Sequence, residues 1–274
     1  MTYDIELVGK IGSMALIRRE DNDINYNTLA RLGDELRPGM VWVSSGATEI
    51  GRLDYLRRSG HVLPLDDADA KTDYAAQGQA ILMANYRQFI RPEYSIRQLL
   101  VEHCHFNDPE KREHIRRLLL RASEQGAIPI VNYNDPVSED ENRKMELAHL
   151  RTQHMHVVEC VDNDETAAVI AGLVHARTLI ILTSTEGIYR DAHDPSTLVR
   201  EVTADTPEAL AARISALQQC CHGASRAGAN GAWAKLAYIT QPAMSGTTVL
   251  IGHARHHLHD LLEDRVPHTR IGLR

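Results

Sequence analysis

Short apolar runs of strand length alternate along the chain with longer segments of helical periodicity. IELVGKI (5 to 11), MVWVSS (40 to 45), AIPIVN (127 to 132), TLIILTS (178 to 184) and TTVLIG (247 to 252) are nearly continuous in apolar residues. That is the pattern of strands buried on both faces of a sheet. Between them, the stretch from Asp108 to Glu124 places Ile115, Leu118, Leu119 and Ala122 at helical spacing. The stretch from Asp164 to Ala176 does the same with Ala167, Ala168, Ile170, Ala171 and Val174. The alternation predicts an α/β fold with a mainly parallel central sheet and helices on both faces. No internal repeat or low-complexity linker divides the chain, so residues 1–274 are expected to form a single domain of two lobes.

Composition narrows the function classes. A chain of 274 residues with 43% hydrophobic content can build a large core. The formal charge of −7 is spread over interspersed acids and bases, with no basic run to track a phosphodiester backbone, which argues against nucleic acid as a partner. Cys104, Cys160, Cys220 and Cys221 form no CxxC pair, and MTYDIELVGK places charges where a secretory leader is apolar. No apolar run approaches the roughly 20 residues that span a bilayer. A soluble protein of the reducing cytoplasm is the expectation.

In an open α/β sheet, ligands bind beyond the carboxyl ends of the strands, so the residues after each apolar run carry the information. Five places stand out. Lys10, Ile11, Gly12 and Ser13 offer a point charge and a close backbone approach for a phosphate, or a plain turn with a surface lysine. Ser44, Ser45, Gly46 and Ala47 precede ATEIGR, which reads as a helix start. Either its free N–H groups meet an anion or a serine caps it. Asn132, Tyr133, Asn134 and Asp135 can hold a polar ligand or form a turn. Asp162, Asn163, Asp164 and Glu165 precede an alanine-rich helix, and capping accounts for one of these side chains, not all four. Residues 223–235 (GASRAGANGAWAK) combine glycines, a helix start and Lys235, as a phosphate-cradling loop would. Neither GxxxxGK[ST] nor GxGxxG is present.

In this order the five segments resemble the amino acid kinase superfamily, and within it the glutamate 5-kinase family. Lys10 to Ser13 is similar to K-L-G-T/S, SSGATEIG (44 to 51) to S-S-G-A-I-A-A-G, and NYNDPV (132 to 137) to N-E-N-D-x-V. Residues 161–195 are similar to G-D-N-D-x-L-S-A followed by L-L-T-D-x-x-G-L-Y-x-x-D-P. ANGAWAKLAYI resembles G-x-G-G-M-x-T-K-L-x-A-A, and LLEDRVPHTRI resembles L-E-G-x-x-V-G-T. The resemblance runs from about residue 5 to the C-terminus and covers the kinase domain. No counterpart of the PUA domain carried by many members is expected.

The resemblance implies a three-layer α/β/α sandwich, with an acceptor-binding lobe of about 1–177 and a nucleotide-binding lobe of about 178–274. It implies transfer of the γ-phosphoryl group of ATP to the carboxylate of glutamate or a related small amino acid, as in amino-acid biosynthesis. Lys10 and Lys235 would be the catalytic cations and Asp164 the carboxylate that orients them. Ser45, Gly46, Ala47, Asp135, Asp162 and Asn163 would hold the acceptor. Gly12, Ser13, Thr183, Ser184, Gly187, Tyr189, Gly228 and Gly231 would surround the nucleotide. Magnesium would arrive with ATP and occupy no dedicated protein cage. A homo-oligomer is expected.

Departures from the pattern keep other acceptors open: a different carboxylate, a phosphonate or a phosphate monoester. Ser184 stands where the family has Asp, Tyr133 and Pro136 alter the acceptor motif, and Ala229 and Asn230 change the phosphate loop. Ser184 and this loop also admit a non-catalytic ligand-binding relative. The connection from Ser138 to Cys160 is long for the family, and Met145, Leu147, Leu150 and Met155 give it an amphipathic character that predicts a docked element contributing to acceptor choice, the alternative being a tolerated surface excursion. His253, His256, His257 and His259 lack partners at zinc-like spacing, so no metal site is expected there. Trp42 and Trp233 are expected in core or lobe contacts.

Overall fold

A computed structural model describes residues 2–18, 20–138, 140–153, 157–160, 162–221 and 231–274. In chain order these form β1 (Ile5–Ile11), the ribbon β2 (Ile17–Arg18) and β3 (Asp23–Ile24), α1 (Tyr26–Glu35), β4 (Met40–Ser44), α2 (Ala47–Ser59), α3 (Asp67–Phe89) and β5 (Ser95–Val101). Next come α4 (His103–Asn107), α5 (Pro109–Glu124), β6 (Ala127–Tyr133), α6 (Asp140–Gln153), α7 (Asn163–Leu173) and β7 (Ala176–Thr183). The ribbon β8 (Ile188–Tyr189) and β9 (Leu198–Val199) follows, then β10 (Glu201–Ala204), α8 (Pro207–Cys220), α9 (Gly231–Met244), β11 (Thr248–His253), α10 (Leu258–Leu262) and β12 (His268–Leu273).

The eight longer strands follow the order β10-β12-β11-β7-β1-β4-β6-β5 in a mainly parallel sheet flanked by helices, the α/β/α sandwich expected from the alternation. β1 runs parallel to β7 with Lys10 opposite Ile181, and β7 runs parallel to β11 with Thr183 opposite His253. β12 runs antiparallel to β11 and parallel to β10.

The chain divides into two compact units, neither of them continuous. Unit 1 takes Met1–Ile11, Gly39–Val43 and Asp164–Arg274, and unit 2 takes Gly12–Pro38 and Ser44–Asn163. This differs from a single cut near residue 177, because β1 is hydrogen-bonded to β7 and is grouped with it despite the intervening chain. Unit 1 buries Leu7, Val8, Leu179, Ile180, Ile181, Val249 and Leu250 around its parallel strands.

Unit 2 buries Leu29, Leu32, Leu82, Tyr86, Phe106, Leu119, Ile128 and Val131. Its helices start where their polar residues dictate. The Asp66 carboxylate accepts from the N–H groups of Ala68 and Asp69 at the head of α3, and Asp108 accepts from Glu110 and Lys111 at the head of α5, with Pro109 in the first turn. α2 and α3 meet backbone to backbone: a Cβ on Gly78 would lie 1.8 Å from the Ala47 carbonyl oxygen, and one on Gly51 would lie 1.8 Å from that of Tyr74. Only glycine permits this approach. Among the described residues no helix is long and apolar enough to cross a membrane.

Candidate active site

In unit 1, three residues far apart in sequence converge on one ion-pair cluster. Lys10 lies within β1, Asp164 in the first turn of α7 and Lys235 in α9. Lys10 Nζ is 2.5 Å from Asp164 Oδ1, and Lys235 Nζ is 2.9 Å from Asp164 Oδ2. Lys10 is 8% exposed and Asp164 4%. Burial pushes the Asp164 carboxyl up, but the charges of Lys10 and then Lys235, with their hydrogen bonds, outweigh it and hold the group at about 2. Two ammonium groups thus share one carboxylate, and the cluster carries a formal surplus of one positive charge. Lysine stems suit this arrangement, since each sets a point charge without imposing a planar geometry.

The residues expected around a nucleotide are distributed between the units. Thr183 closes β7, and its hydroxyl accepts from the Thr185 N–H at 2.9 Å. The Thr183 carbonyl accepts from the Ala254 N–H at 2.8 Å, which joins the loops after β7 and β11. Glu186 strengthens that junction through His256 Nε2 at 2.6 Å and through Arg255. Ser184 is exposed, Gly187 is buried beside Thr269, Tyr189 lies in β8, and Gly231 opens α9 with φ of 65°. Gly12 and Ser13 belong to unit 2, where Gly12 precedes a single 3-10 turn, Ser13–Ala15. Gly228, with the rest of residues 222–230, lies outside the described residues. Of the core or lobe contacts expected for Trp233, the core is excluded: it is 56% exposed, two positions before Lys235 and so turned to another face of α9.

In unit 2, the start of α2 lacks the serine cap that was one reading of Ser44–Ala47. The residue before the helix is Gly46, at φ of 109°, and no side chain caps the N-terminus. Both serines are engaged elsewhere. Ser44 Oγ accepts from the Tyr86 hydroxyl at 2.8 Å and donates to the Ser45 carbonyl, while Ser45 Oγ accepts from Asn163 Nδ2 at 3.0 Å. A 13-residue helix with Ala47 in its first turn therefore keeps its leading N–H groups clear of a side-chain cap.

Asn163 Nδ2 also donates to Asn132 Oδ1 at 2.9 Å, and Asn132 Nδ2 donates to Gln79 Oε1 at 2.9 Å. Asp135 begins the turn Asp135–Val137, with its carboxylate 3.8 Å from Lys71 Nζ. Asp162 is half-buried just before α7. The Tyr133 hydroxyl pairs with Ser138 Oγ at 3.0 Å, and burial raises its phenol above the ordinary range. Gln79 escaped the sequence reading. Its signal was a polar residue on the buried stripe of α3, between Ala75, Gly78 and Leu82.

The Ser138–Cys160 connection carries α6, in which Leu147 is buried, Leu150 half-buried and Met145 65% exposed. Glu146 Oε2 meets the buried His103 Nε2 at 2.8 Å. The apolar docking expected for this segment is thus carried by Leu147 and Leu150, with Met145 facing outward. Met155 lies outside the described residues.

A mainly parallel α/β sheet bearing a buried cationic cluster defines a class suited to handling anionic groups. The chain belongs to the amino acid kinase family, whose sequence model matches residues 7–253. It is 31% identical over 283 aligned positions to a glutamate 5-kinase of Gloeobacter violaceus, covering 98% of this chain and 69% of that protein. It is 30% identical over 221 positions to a glutamate 5-kinase of Shouchella clausii, covering 79% of this chain and 52% of the relative. The chain thus spans from about half to about two-thirds of the length of these relatives. A carbamate kinase from Giardia lamblia bound to AMP-PNP shares the fold, with a TM-score of 0.61, 14% identity and 98% of each chain covered.

Proposed function

We propose that the chain is an ATP-dependent kinase that transfers the γ-phosphoryl group to the carboxylate of glutamate or a related small amino acid, giving an acyl phosphate and ADP. The observation that carries this reading is the Lys10–Asp164–Lys235 cluster, a buried cationic surplus held by a carboxylate at about 2. In phosphoryl transfer an acceptor oxygen attacks the γ-phosphorus as the bond to the bridging oxygen of ADP breaks. Negative charge grows on the oxygens in flight and on the leaving phosphate, and prepositioned cations stabilise it. Lys10 and Lys235 would supply those cations, and Asp164 would hold their ammonium groups in place.

Ser45, Gly46, Ala47, Asp135, Asp162 and Asn163 would bind the acceptor. Unit 2 suits a zwitterion: the leading N–H groups of α2 favour an anionic group, while Asp135, Asp162 and the amide oxygen of Asn163 favour an ammonium. Gly12, Ser13, Thr183, Ser184, Gly187, Tyr189, Gly228 and Gly231 would surround ATP. Both oxygens of Asp164 are engaged by lysines, which fits magnesium held by the nucleotide's phosphates and not by this carboxylate. There it would neutralise phosphate charge.

A second reading keeps the fold and the cations and changes the acceptor to another carboxylate, a phosphonate or a phosphate monoester. The helix α6 and its Glu146–His103 contact favour it, because loop elements placed after a ligand motif commonly tune selectivity. Measurement of ADP release from ATP with amino acids, phosphonates and phosphomonoesters separates the two. Turnover dependent on L-glutamate supports the first reading, and turnover only with a phosphonate or monoester supports the second. Nucleotide binding with no turnover of any acceptor would overturn both in favour of a non-catalytic relative.

A further inference from the structure

Unit 2 buries a string of uncharged amides whose direction is readable from one end to the other. The Tyr133 N–H can only donate, and it donates to Asn132 Oδ1 at 2.9 Å, which settles which end of the Asn132 amide is oxygen. The other end, Nδ2, therefore donates to Gln79 Oε1 at 2.9 Å. Asn132 Oδ1 also accepts from Asn163 Nδ2 at 2.9 Å, and the same Nδ2 donates to Ser45 Oγ at 3.0 Å. With its nitrogen so committed, the Asn163 amide has one possible orientation. Its Oδ1 is left buried, with no hydrogen-bond partner among the described residues.

Native structures seldom retain such an orphan without a use for it. Gln79 and Asn132 are 7% and 3% exposed, so water does not readily replace either partner. The glycine contact of α2 with α3 puts Gly78, the neighbour of Gln79, against the first turn of α2.

We propose that Gln79 is a positioning residue for the acceptor site: by accepting from Asn132 Nδ2 it locks the Asn132 amide, and through it holds Asn163 with its buried oxygen left for an N–H donor on the acceptor. This rests on the acceptor-site reading above. It adds that selectivity for an amino-bearing acceptor depends on a residue that does not itself touch the ligand. A bound ammonium would complete the string, whereas an acceptor with only oxygen acceptors at that point would leave the orphan unmet and place two lone pairs together.

Gln79→Met keeps the length of the side chain and removes the accepting oxygen, and Gln79→Glu restores an oxygen at the same position. The first measurement uses ligand-free protein and follows solvent exchange of the Asn163 side-chain amide hydrogens by nitrogen-15 NMR, with Asn163→Asp to assign the signal. Protection of those hydrogens should fall at least about fivefold in Gln79→Met and recover in Gln79→Glu. Unchanged protection in Gln79→Met overturns the proposal.

The second measurement uses ATP and L-glutamate. The KM for L-glutamate should rise at least about fivefold in Gln79→Met and recover in Gln79→Glu, with the KM for ATP and kcat moving less than about twofold. A matched loss in kcat, or a KM for L-glutamate that does not move, overturns it. If the wild-type chain fails to turn over L-glutamate, the functional reading fails while the exchange measurement still judges the amide string. Should Gln79→Met not fold, Asn132→Asp serves in its place. Its carboxylate still accepts from Tyr133 and Asn163, and the Gln79 amide can turn to donate to it, so Asn163 protection must persist. Loss of protection there overturns the proposal.

Discussion

Unit 1 gathers charged groups around one carboxylate, and unit 2 lines up neutral dipoles. The Lys10–Asp164–Lys235 cluster holds three ionised groups with a surplus positive charge. The Gln79–Asn132–Asn163–Ser45 string holds three amides and a hydroxyl, with no ionised member. The two solve different problems. A full charge acts through space with little regard for angle, so it suits a site where charge must be stabilised as it grows. An amide hydrogen bond fails within a few tenths of an ångström or a modest tilt, so a chain of them suits a site that must tell one ligand from another. Under the proposed assignment, unit 1 supplies rate and unit 2 supplies choice.

Substituting the cations should therefore produce the largest effect. Lys10→Ala or Lys235→Ala is expected to lower kcat by about 10³-fold, with the KM values for both substrates moving far less, since each change removes a charge used most in the transition state. Steady-state ADP release checks this. Near-normal turnover in either variant would remove that lysine from the chemistry.

Replacing the shared anion tests stability in place of rate. Asp164→Asn leaves two ammonium groups facing a neutral amide in a buried site, and loss of one partner of a buried pair costs about 3–5 kcal/mol. Urea unfolding should register a loss of that order. A loss below about 1 kcal/mol would mean that water screens the cluster.

The same carboxylate sets an acid dependence. Its folded value of about 2 lies below the ordinary 3.8, so its contribution, about 2 kcal/mol, is fully present above about pH 4 and disappears as the pH falls toward 2. The direction follows from linkage: the unfolded chain takes up this proton at a higher pH than the folded one. Stability measured from pH 5 to pH 2 should fall more steeply in the wild type than in Asp164→Asn. Equal slopes would place the titrating group elsewhere.

Shortening the α6 connection should give the smallest effect and sharpen the contrast on the unit 2 side. Replacing residues 138–160 with a short linker is expected to alter the KM for the acceptor several-fold while leaving the KM for ATP unchanged, at a cost in stability for the buried Leu147 and the Glu146–His103 contact. If the shortened protein folds and keeps both KM values, this segment has no part in acceptor choice.

Legibility of the fold followed apolar continuity. IELVGKI appears as β1 over the same residues, and the runs beginning at 40, 127, 178 and 247 each appear as strands within two residues of the expected bounds. SIRQLLV became β5 without having been anticipated. It is the terminal strand of the sheet order, and most of its side chains are exposed or half-buried, so it carries no continuous apolar run. β10 ends the order at the other side and is only four residues long. Trp233 lies outside the core for a related reason: an aromatic residue has a strong average preference for the interior, but its helix face decides its burial.

The sequence by itself determined which chemistry was available. It placed one lysine, a run of carboxylates and amides, and a glycine-preceded helix start at the ends of apolar runs, and a second lysine after a glycine-rich stretch, because strand length and strand polarity are local properties. Tertiary structure alone decided how those groups are used. Lys10 and Lys235 meet on one carboxylate across most of the chain, Asn132 bonds Gln79 across 53 positions, and Asn163 bonds Ser45 across 118. Such partnerships depend on strand order and on the closeness of α2 to α3, which two glycines allow. A lysine pairs by distance and an amide by direction, and neither quantity exists until distant segments of the chain have packed together.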